Sequence, residues 1–530
     1  MARRYETDVL VIGGGATGAG VMRDLALRGI PCILIDRRDL AAGASGGNHG
    51  LLHSGGRYVA SDAETAAECR RESELLKRLA PQCIDDCGGV FVAVEGDDPD
   101  YARAFPDHCA AAGIPCEELT PAQARKREPA LPDSVIAAYA VPDASIDPFR
   151  LLLENVGHAL NLGNNAYLPH IEVEGFEIDN GAIKTTRCRD MRSGEAVEIH
   201  AKQVVSATGA WAERVARMAG CDDVQLVYSK GTLIISNTRI GNGVINRLRP
   251  PGDGDILVPG GTVSLLGTSS VTVSDPDDIH PTNEEVDRIL SEGADMVPVL
   301  SDTRFVRAFC GVRPLLMEKG AEADGRKASR GFALFDHESE GISNFATITG
   351  GKLTTFRLMA EKTVDLVAAR LGNTAPCRTA TEPLPSGDAL RWTEPGAAAR
   401  DWHERADATD TVLCECEMVA RSVVDSIVAD APGAEDHMSL KAIALRSRIG
   451  KGACQGAFCA MRVTSHLYDA GIYDGPDGLA QMRDFITERY RGVRPVLWGA
   501  QLPQTELAEI LHVGLAGLDM TPGKEKDGTS

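Results

Sequence analysis

No stretch of the sequence reaches 18 predominantly apolar residues, so a membrane-spanning helix is not expected. Positive charge is scarce as well: 55 Lys and Arg stand against 76 Asp and Glu, a formal net charge of −21. A field of that sign repels nucleic acid and anionic membrane at long range, which removes both as direct partners. Adaptation to high salt would produce the same surface and is silent about activity. There is no internal repeat, and the 14 cysteines follow no regular framework. In a chain this long that pattern suits free thiols and a metal site, not a disulfide scaffold. The opening MARRYETDVLVIGGG places basic residues before an apolar run, as an export signal does. The run lasts only about five residues before glycines interrupt it, so cytoplasmic residence is expected.

What the chain does contain is 43% apolar residues and 55 glycines over 530 positions. Those proportions describe a globular α/β protein with two to four cores. DVLVIGGGATGAGVMRDLALRGIPCILID (8–36) reads as a strand, a glycine turn, a helix and a second strand. Gly13, Gly15 and Gly18 supply G-x-G-x-x-G: the first permits the turn, the second admits a pyrophosphate, and the third packs helix on strand. Asp36 closes the second strand, where its carboxylate can bond both ribose hydroxyls and repel a 2′-phosphate. Dinucleotide binding follows.

Further along, Ser61-Asp62-Ala63-Glu64 reads as a capping box opening a helix to about Leu79, before Pro81. QVVSATGAWAERV (203–215) is another buried strand, ending in Ala207-Thr208-Gly209. FATITGGKLTTFRLMAEKTVDLVAARLG (345–372) predicts a strand, a turn at Gly350-Gly351 and a long helix. TLIIS and TVSLLGTSSVTV alternate as strands of a separate sheet. Residues 373–399 are rich in Pro, Ala, Thr and Gly and read as an interdomain linker. The final GKEKDGTS reads as disordered. TELAEILHVGLAGLDM is apolar at helical spacing and can cover a partner or its own core; the second is the simpler expectation.

Several motifs are long enough to carry a resemblance: GASGGNHGLLHSGGRY, FCGVRPLL, SRGFALFDHE, ITGGKLTTFRLMAE and CEC…GKGACQGAFC. Together they resemble flavoprotein dehydrogenases of the glycerol-3-phosphate dehydrogenase family, the large subunit of its anaerobic members in particular. The resemblance runs nearly end to end. It implies an α/β fold in which a Rossmann-like FAD-binding domain of the DAO/GR2 type is interleaved with an α+β substrate domain. A small helical domain carrying cysteines comes next. The implied boundaries are 1–85, 150–215 and 340–372 for the FAD domain, and 86–149 with 216–339 for the substrate domain. After them come a linker at 373–411, a cysteine module at 412–465 and a helical extension at 466–530.

The resemblance places the flavin ring beside NHGLLHSGGRYV (48–59), with Gly50, Gly55 and Gly56 letting backbone approach it and His53, Arg57 and Tyr58 facing its reactive side. It puts Ser45 near the pyrophosphate, and Thr208 and Gly209 at the adenosine side. The chemistry is oxidation of sn-glycerol 3-phosphate to dihydroxyacetone phosphate. A phosphate dianion calls for arginine forks, and Arg57, Arg313 and Arg330 match the motifs. His53 is the candidate base; attachment of flavin to a histidine is the other role open to it. Lys352, before the last helix, can stabilise charge on reduced flavin; a surface lysine is the plainer reading. Cys414, Cys416, Cys454 and Cys459 form C-x-C…C-x4-C, resembling the ferredoxin-type module that holds a [2Fe–2S] cluster. The C-x4-C half departs from the more familiar C-x2-C, so zinc or two idle cysteine pairs stay open. Electrons would reach a quinone through two companion proteins, a second flavoprotein (the B component) and an iron–sulfur protein (the C component). Those companions would hold this chain on the inner face of the membrane. An amine or amino-acid dehydrogenase on the same scaffold, or a non-catalytic electron-transfer protein, is the rival reading.

Overall fold

The computed structural model describes residues 2–317, 331–386, 398–430 and 438–518. β1 (Arg3–Ile12) ends in the run Val9-Leu10-Val11-Ile12, which is buried throughout, as a strand covered on both faces must be. It lies between β2 (Cys32–Asp36) and the strand Ala196–Ser206, parallel to both. Asn165–Pro169 extends this parallel array beyond β2, and Phe345–Gly350 joins the end of Ala196–Ser206. α1 (Ala16–Leu27) connects β1 to β2 and packs on the helices Pro148–Asn161 and Phe356–Arg370. Gly20 permits that approach, since a Cβ there would stand 3.0 Å from the Cβ of Ala360. An antiparallel pair, Ile171–Asp179 and Ala182–Asp190, continues the sheet. The parallel strands direct their C-terminal ends, and so the turns after them, toward one edge, where open α/β sheets bind ligands.

A second, nine-stranded sheet draws on segments distant in sequence. Val244–Arg247 pairs with Gly89–Val94, and Leu226–Ser236 pairs with Val263–Gly267, Val271–Val273 and Phe305–Leu316. The alternating segments TLIIS and TVSLLGTSSVTV lie in this sheet.

Four features differ from the sequence reading. Phe332–Asp336, assigned by sequence to the substrate domain, pairs antiparallel with Phe345–Gly350 in the nucleotide sheet. Residues 373–386, expected to begin a linker, are tied down. Leu384 N–H donates to the Leu79 carbonyl at 2.7 Å, and Arg23 Nη2 donates to the Glu382 carbonyl at 2.9 Å. The helix Ala63–Leu79 has the expected end, but its cap is Asp62, which accepts from Thr65 N–H at 2.9 Å. Ser61, one residue earlier, hydrogen-bonds the Tyr58 carbonyl instead. The fourth difference is at the C-terminus.

By compactness the chain divides into Met1–Arg304 with Phe309–Leu390, and Phe305–Ala308 with Arg391–Ser530. In the second unit, helices Arg421–Ala429, Leu440–Ser447, Cys459–Asp469 and Asp477–Val493 share one core. Leu413, Ile443, Val463, Phe485 and Ile486 all belong to it. The boundary expected at 465 therefore cuts through a helix, and Asp477–Val493 beyond it supports the cysteine loop rather than extending from it. Gln501–His512 behaves otherwise: Leu502, Leu507, Ile510 and Leu511 are exposed, and only Gln501 of that helix is buried. The expectation that this stretch covers its own core holds for Val513 alone among its large side chains that are fully buried. The tail expected to be disordered lies outside the described residues. Among the described residues no helix is long and apolar enough to cross a membrane.

Candidate functional site

Where β1 ends, the chain turns under close constraint. Gly13 has φ +109°, and a Cβ there would stand 2.6 Å from the Ala207 carbonyl oxygen. At Gly18 a Cβ would come within 1.9 Å of the Gly13 carbonyl oxygen, so only glycine lets α1 lie so near the turn. Gly15 precedes the first residue of α1. Asp36 accepts from the N–H groups of Gly14 and Arg38, each at 2.7 Å, and burial pushes its carboxyl above the ordinary carboxylate value. Ser45 Oγ accepts from Ala16 N–H at 2.9 Å, which places this side chain on the first turn of α1, the anion-binding end of a helix. Thr208 shares a hydroxyl contact of 3.0 Å with Ser206, and the Gly209 carbonyl accepts from Thr349 Oγ1 at 3.0 Å.

Gly13, Gly15, Asp36, Ser45, Thr208 and Gly209 line a cleft of about 420 Å³, a normal size for a small-molecule site. Arg37 and Arg38 also reach it, stacked 4.6 and 5.1 Å from the Trp211 ring. Trp211 was not singled out from sequence, although it stands two residues after Gly209 of the Ala207-Thr208-Gly209 turn. The glycine cradle and the carboxylate at the end of β2, both on one cleft, fit a dinucleotide such as FAD. Its ring would lie beside the remaining lining residues.

There, His53, Tyr58, Lys352, Gly350 and Gly351 line the cleft. Gly350 and Gly351 both have positive φ, and a Cβ at Gly351 would stand 2.5 Å from Met359 Sδ. His53 Nε2 is 3.4 Å from the Tyr58 hydroxyl, and Lys352 Nζ lies 4.6 Å from the centre of the Tyr58 ring. Arg313 enters from Phe305–Leu316, its Nη1 3.3 Å from Ser229 Oγ and its Nη2 against Thr268 Oγ1. Gly231 leaves the room it needs: a Cβ there would meet the guanidinium at 2.4 Å.

Two sequence assignments change. Arg57 does not line the cleft; it donates to Asp255 Oδ2 at 2.6 Å and to the Arg247 carbonyl at 3.1 Å. Asp255 is fully buried and is shared with Arg249, so the Arg57 charge is already offset within the fold. Gly50, Gly55 and Gly56 admit protein rather than cofactor, because a Cβ at each would meet Ile146, Ala66 and Phe91 respectively. Arg330 lies outside the described residues. His49, given no role in the sequence reading of NHGLLHSGGRYV, lines the cleft beside His53, their ring centres 5.8 Å apart.

In the C-terminal unit the four predicted cysteines converge. Cys416 Sγ lies 3.8 Å from both Cys414 Sγ and Cys454 Sγ, and Cys459 contacts Cys414 and Cys454. Gly452 makes space for the loop, since a Cβ there would stand 2.5 Å from Cys416 Sγ. Hydrogen bonds from neighbouring thiols, Cys416 foremost, pull Cys414 far below the usual thiol range, to about 3. Four sulfurs gathered this tightly match the donor set of a metal or cluster once deprotonated. The other ten cysteines form no disulfide among the described residues, and most of them are buried.

A family model described as FAD dependent oxidoreductase matches residues 8–366. The chain is 40% identical to the A subunit of the anaerobic glycerol-3-phosphate dehydrogenase of Escherichia coli (strain K12), over 97% of each chain. It is 38% identical to the A1 subunit of the corresponding enzyme of Haloferax volcanii, over 97% of this chain and 91% of that one. Among solved structures, the glycerol-3-phosphate dehydrogenase of Bacillus halodurans complexed with FAD aligns with a TM-score of 0.64 and 22% identity. That alignment covers 93% of this chain and 96% of the other. The chain belongs to the FAD-dependent oxidoreductase family, within the group of anaerobic glycerol-3-phosphate dehydrogenase A subunits.

Proposed function

We propose that this chain oxidises sn-glycerol 3-phosphate to dihydroxyacetone phosphate, and that the electrons leave through a [2Fe–2S] cluster held by Cys414, Cys416, Cys454 and Cys459. Bound FAD supplies the two-electron acceptor for the hydride from C2 of the alcohol. The protein's share is grip and proton handling. Arg313 provides the planar fork for the phosphate dianion, and Lys352 adds a cation in the same cleft. His53, between Tyr58 and the Thr354 hydroxyl that its backbone N–H meets, takes the hydroxyl proton. Gly13, Gly15, Gly18, Asp36, Ser45, Thr208 and Gly209 hold the nucleotide. The four cysteine sulfurs, deprotonated, would hold the one-electron centre, which would supply single-electron transfer onward from the flavin.

The observation that supports this reading best is that one cleft is lined both by the dinucleotide cradle and by His53, Arg313 and Lys352. Partners follow from the relatives, which are named as A subunits. We assign to them a second flavoprotein and an iron–sulfur protein that delivers electrons to a quinone and holds this chain against the inner face of the membrane. The test is anaerobic addition of glycerol 3-phosphate to the purified holoprotein, with iron and acid-labile sulfide measured on the same sample. Flavin bleaching is expected, inhibited by inorganic phosphate, with iron and sulfide in equal amounts. Bleaching by an amine or amino acid, indifferent to phosphate, would replace the proposal with the rival dehydrogenase. Zinc without sulfide would remove the cluster.

A further inference from the structure

His49 is held more firmly than its place in a glycine-rich loop suggests. Asn48 fixes the loop from within: its Nδ2 donates to the Ser45 carbonyl at 2.7 Å, and its Oδ1 accepts from Gly50 N–H at 2.7 Å. On the far side, Leu51 is in register with Ser145 in a short antiparallel ladder. Leu51 N–H then donates to His49 Nδ1 at 3.1 Å. A ring nitrogen that accepts a backbone hydrogen bond carries no proton, so the neutral imidazole has its hydrogen on Nε2. Among the described residues Nε2 has no partner. The side chain lines the cleft, near His53 and within the field of two guanidinium groups, Arg313 and Arg57.

That field settles what the ring can do. Burial and the two guanidinium charges lower the His49 pKa to about 3, so it remains a neutral N–H donor throughout the physiological range. A general base would need a pKa nearer to neutrality. Arg313, which lines the same cleft and hydrogen-bonds the Ser229 and Thr268 hydroxyls, favours an anion beside this ring. We propose that His49 is a substrate-binding residue whose Nε2–H donates to the phosphate of the substrate, completing the clamp that Arg313 begins. The inference rests on the proposed oxidation of a phosphorylated alcohol. It also replaces, for that clamp, the donor that Arg57 does not present to the cleft. A fixed, uncharged donor beside an arginine has a selective use. It adds a directed hydrogen bond for phosphate without the further positive charge that would hold the product too tightly.

The experiment compares His49→Leu and His49→Gln with the wild type as FAD-loaded protein. Inorganic phosphate is titrated against the flavin absorbance spectrum, and steady-state kinetics are measured with glycerol 3-phosphate. For His49→Leu, the phosphate Kd and the KM should each rise about ten- to hundredfold, as for a lost hydrogen bond to a charged group, with kcat within about threefold. His49→Gln, which keeps an N–H donor, should recover most of both. The resting flavin spectrum should not change in either variant. A His49→Leu protein with wild-type phosphate affinity overturns the inference, as does a loss confined to kcat. If the wild type binds phosphate but is not bleached by glycerol 3-phosphate, the proposed reaction fails while the phosphate titration still decides the role of His49.

Discussion

Arg57 shows how a charged side chain in a functional motif can be committed elsewhere. Its fork is closed by Asp255, only 1% exposed at the side chain, and by the Arg247 carbonyl. Arg247 in turn is buried against Asp97, and Arg249 holds the second oxygen of Asp255. Removing one partner from a buried ion pair leaves the other charge stranded, at a cost of about 3–5 kcal/mol, and the remaining Arg249 contact softens that. Arg57→Ala is therefore expected to lower stability by about 2–4 kcal/mol in urea unfolding of the FAD-loaded protein. Unchanged stability together with a large rise in KM would show that the guanidinium belongs to the substrate and not to Asp255.

At the scale of elements, Gln501–His512 is the part whose sequence pattern and position disagree most. Leu507, Ile510 and Leu511 recur at helical spacing, which normally marks a buried stripe, yet all three are exposed. Replacing a core leucine costs about 2–5 kcal/mol, whereas an exposed one changes stability by about 0.5 kcal/mol or less. The double variant Leu507→Glu/Ile510→Glu is thus expected to unfold at the wild-type urea midpoint. A marked drop would mean that the stripe is covered after all. The contrast explains what was legible from sequence. Gly13, Gly18 and Asp36 could be read because their roles are local: a turn, a helix packed on a strand, and the end of β2. The four cysteines were legible for the same reason, since spacing in two short loops brings their sulfurs together. Arg57, Gly55 and Asp62 were misjudged because their partners depend on tertiary neighbours or on a one-residue shift in the cap. His49 was given no role because a histidine in a loop carries no signal of what holds its Nδ1.

Over the whole molecule, two electrostatic effects of opposite sign compete as pH falls. The net charge of −21 produces self-repulsion, which protonation of carboxylates relieves and salt screens. His49 and His158 act against that relief. Burial, reinforced by Arg313 and Arg57, lowers His49 to about 3; burial, reinforced by Arg23 and only partly opposed by Glu382, lowers His158 to about 4. Both pKa values lie below that of an unfolded histidine, about 6.5. Above that value neither state binds the proton and the two residues contribute nothing. Below it the unfolded chain takes up protons that the folded chain refuses, so stability falls as pH falls until the folded values are reached. At pH 4.5 each histidine should cost about 2–3 kcal/mol. Ordinary surface carboxylates titrate near pH 4, below the window from pH 6.5 to 5 in which the two histidines act. Asp24, Asp36, Glu128 and Asp143, raised by burial, oppose the histidines by taking up protons in the folded state. Urea unfolding of the holoprotein should show stability declining across that window, with the decline surviving added salt. His158→Asn should make it shallower, because Arg23 keeps an acceptor for Nε while the proton-binding group is gone. A stability that stays flat or rises from pH 6.5 to 5, alike in the wild type and in His158→Asn, would mean that these imidazoles are hydrated, and that the carboxylates alone set the response of the fold to acid.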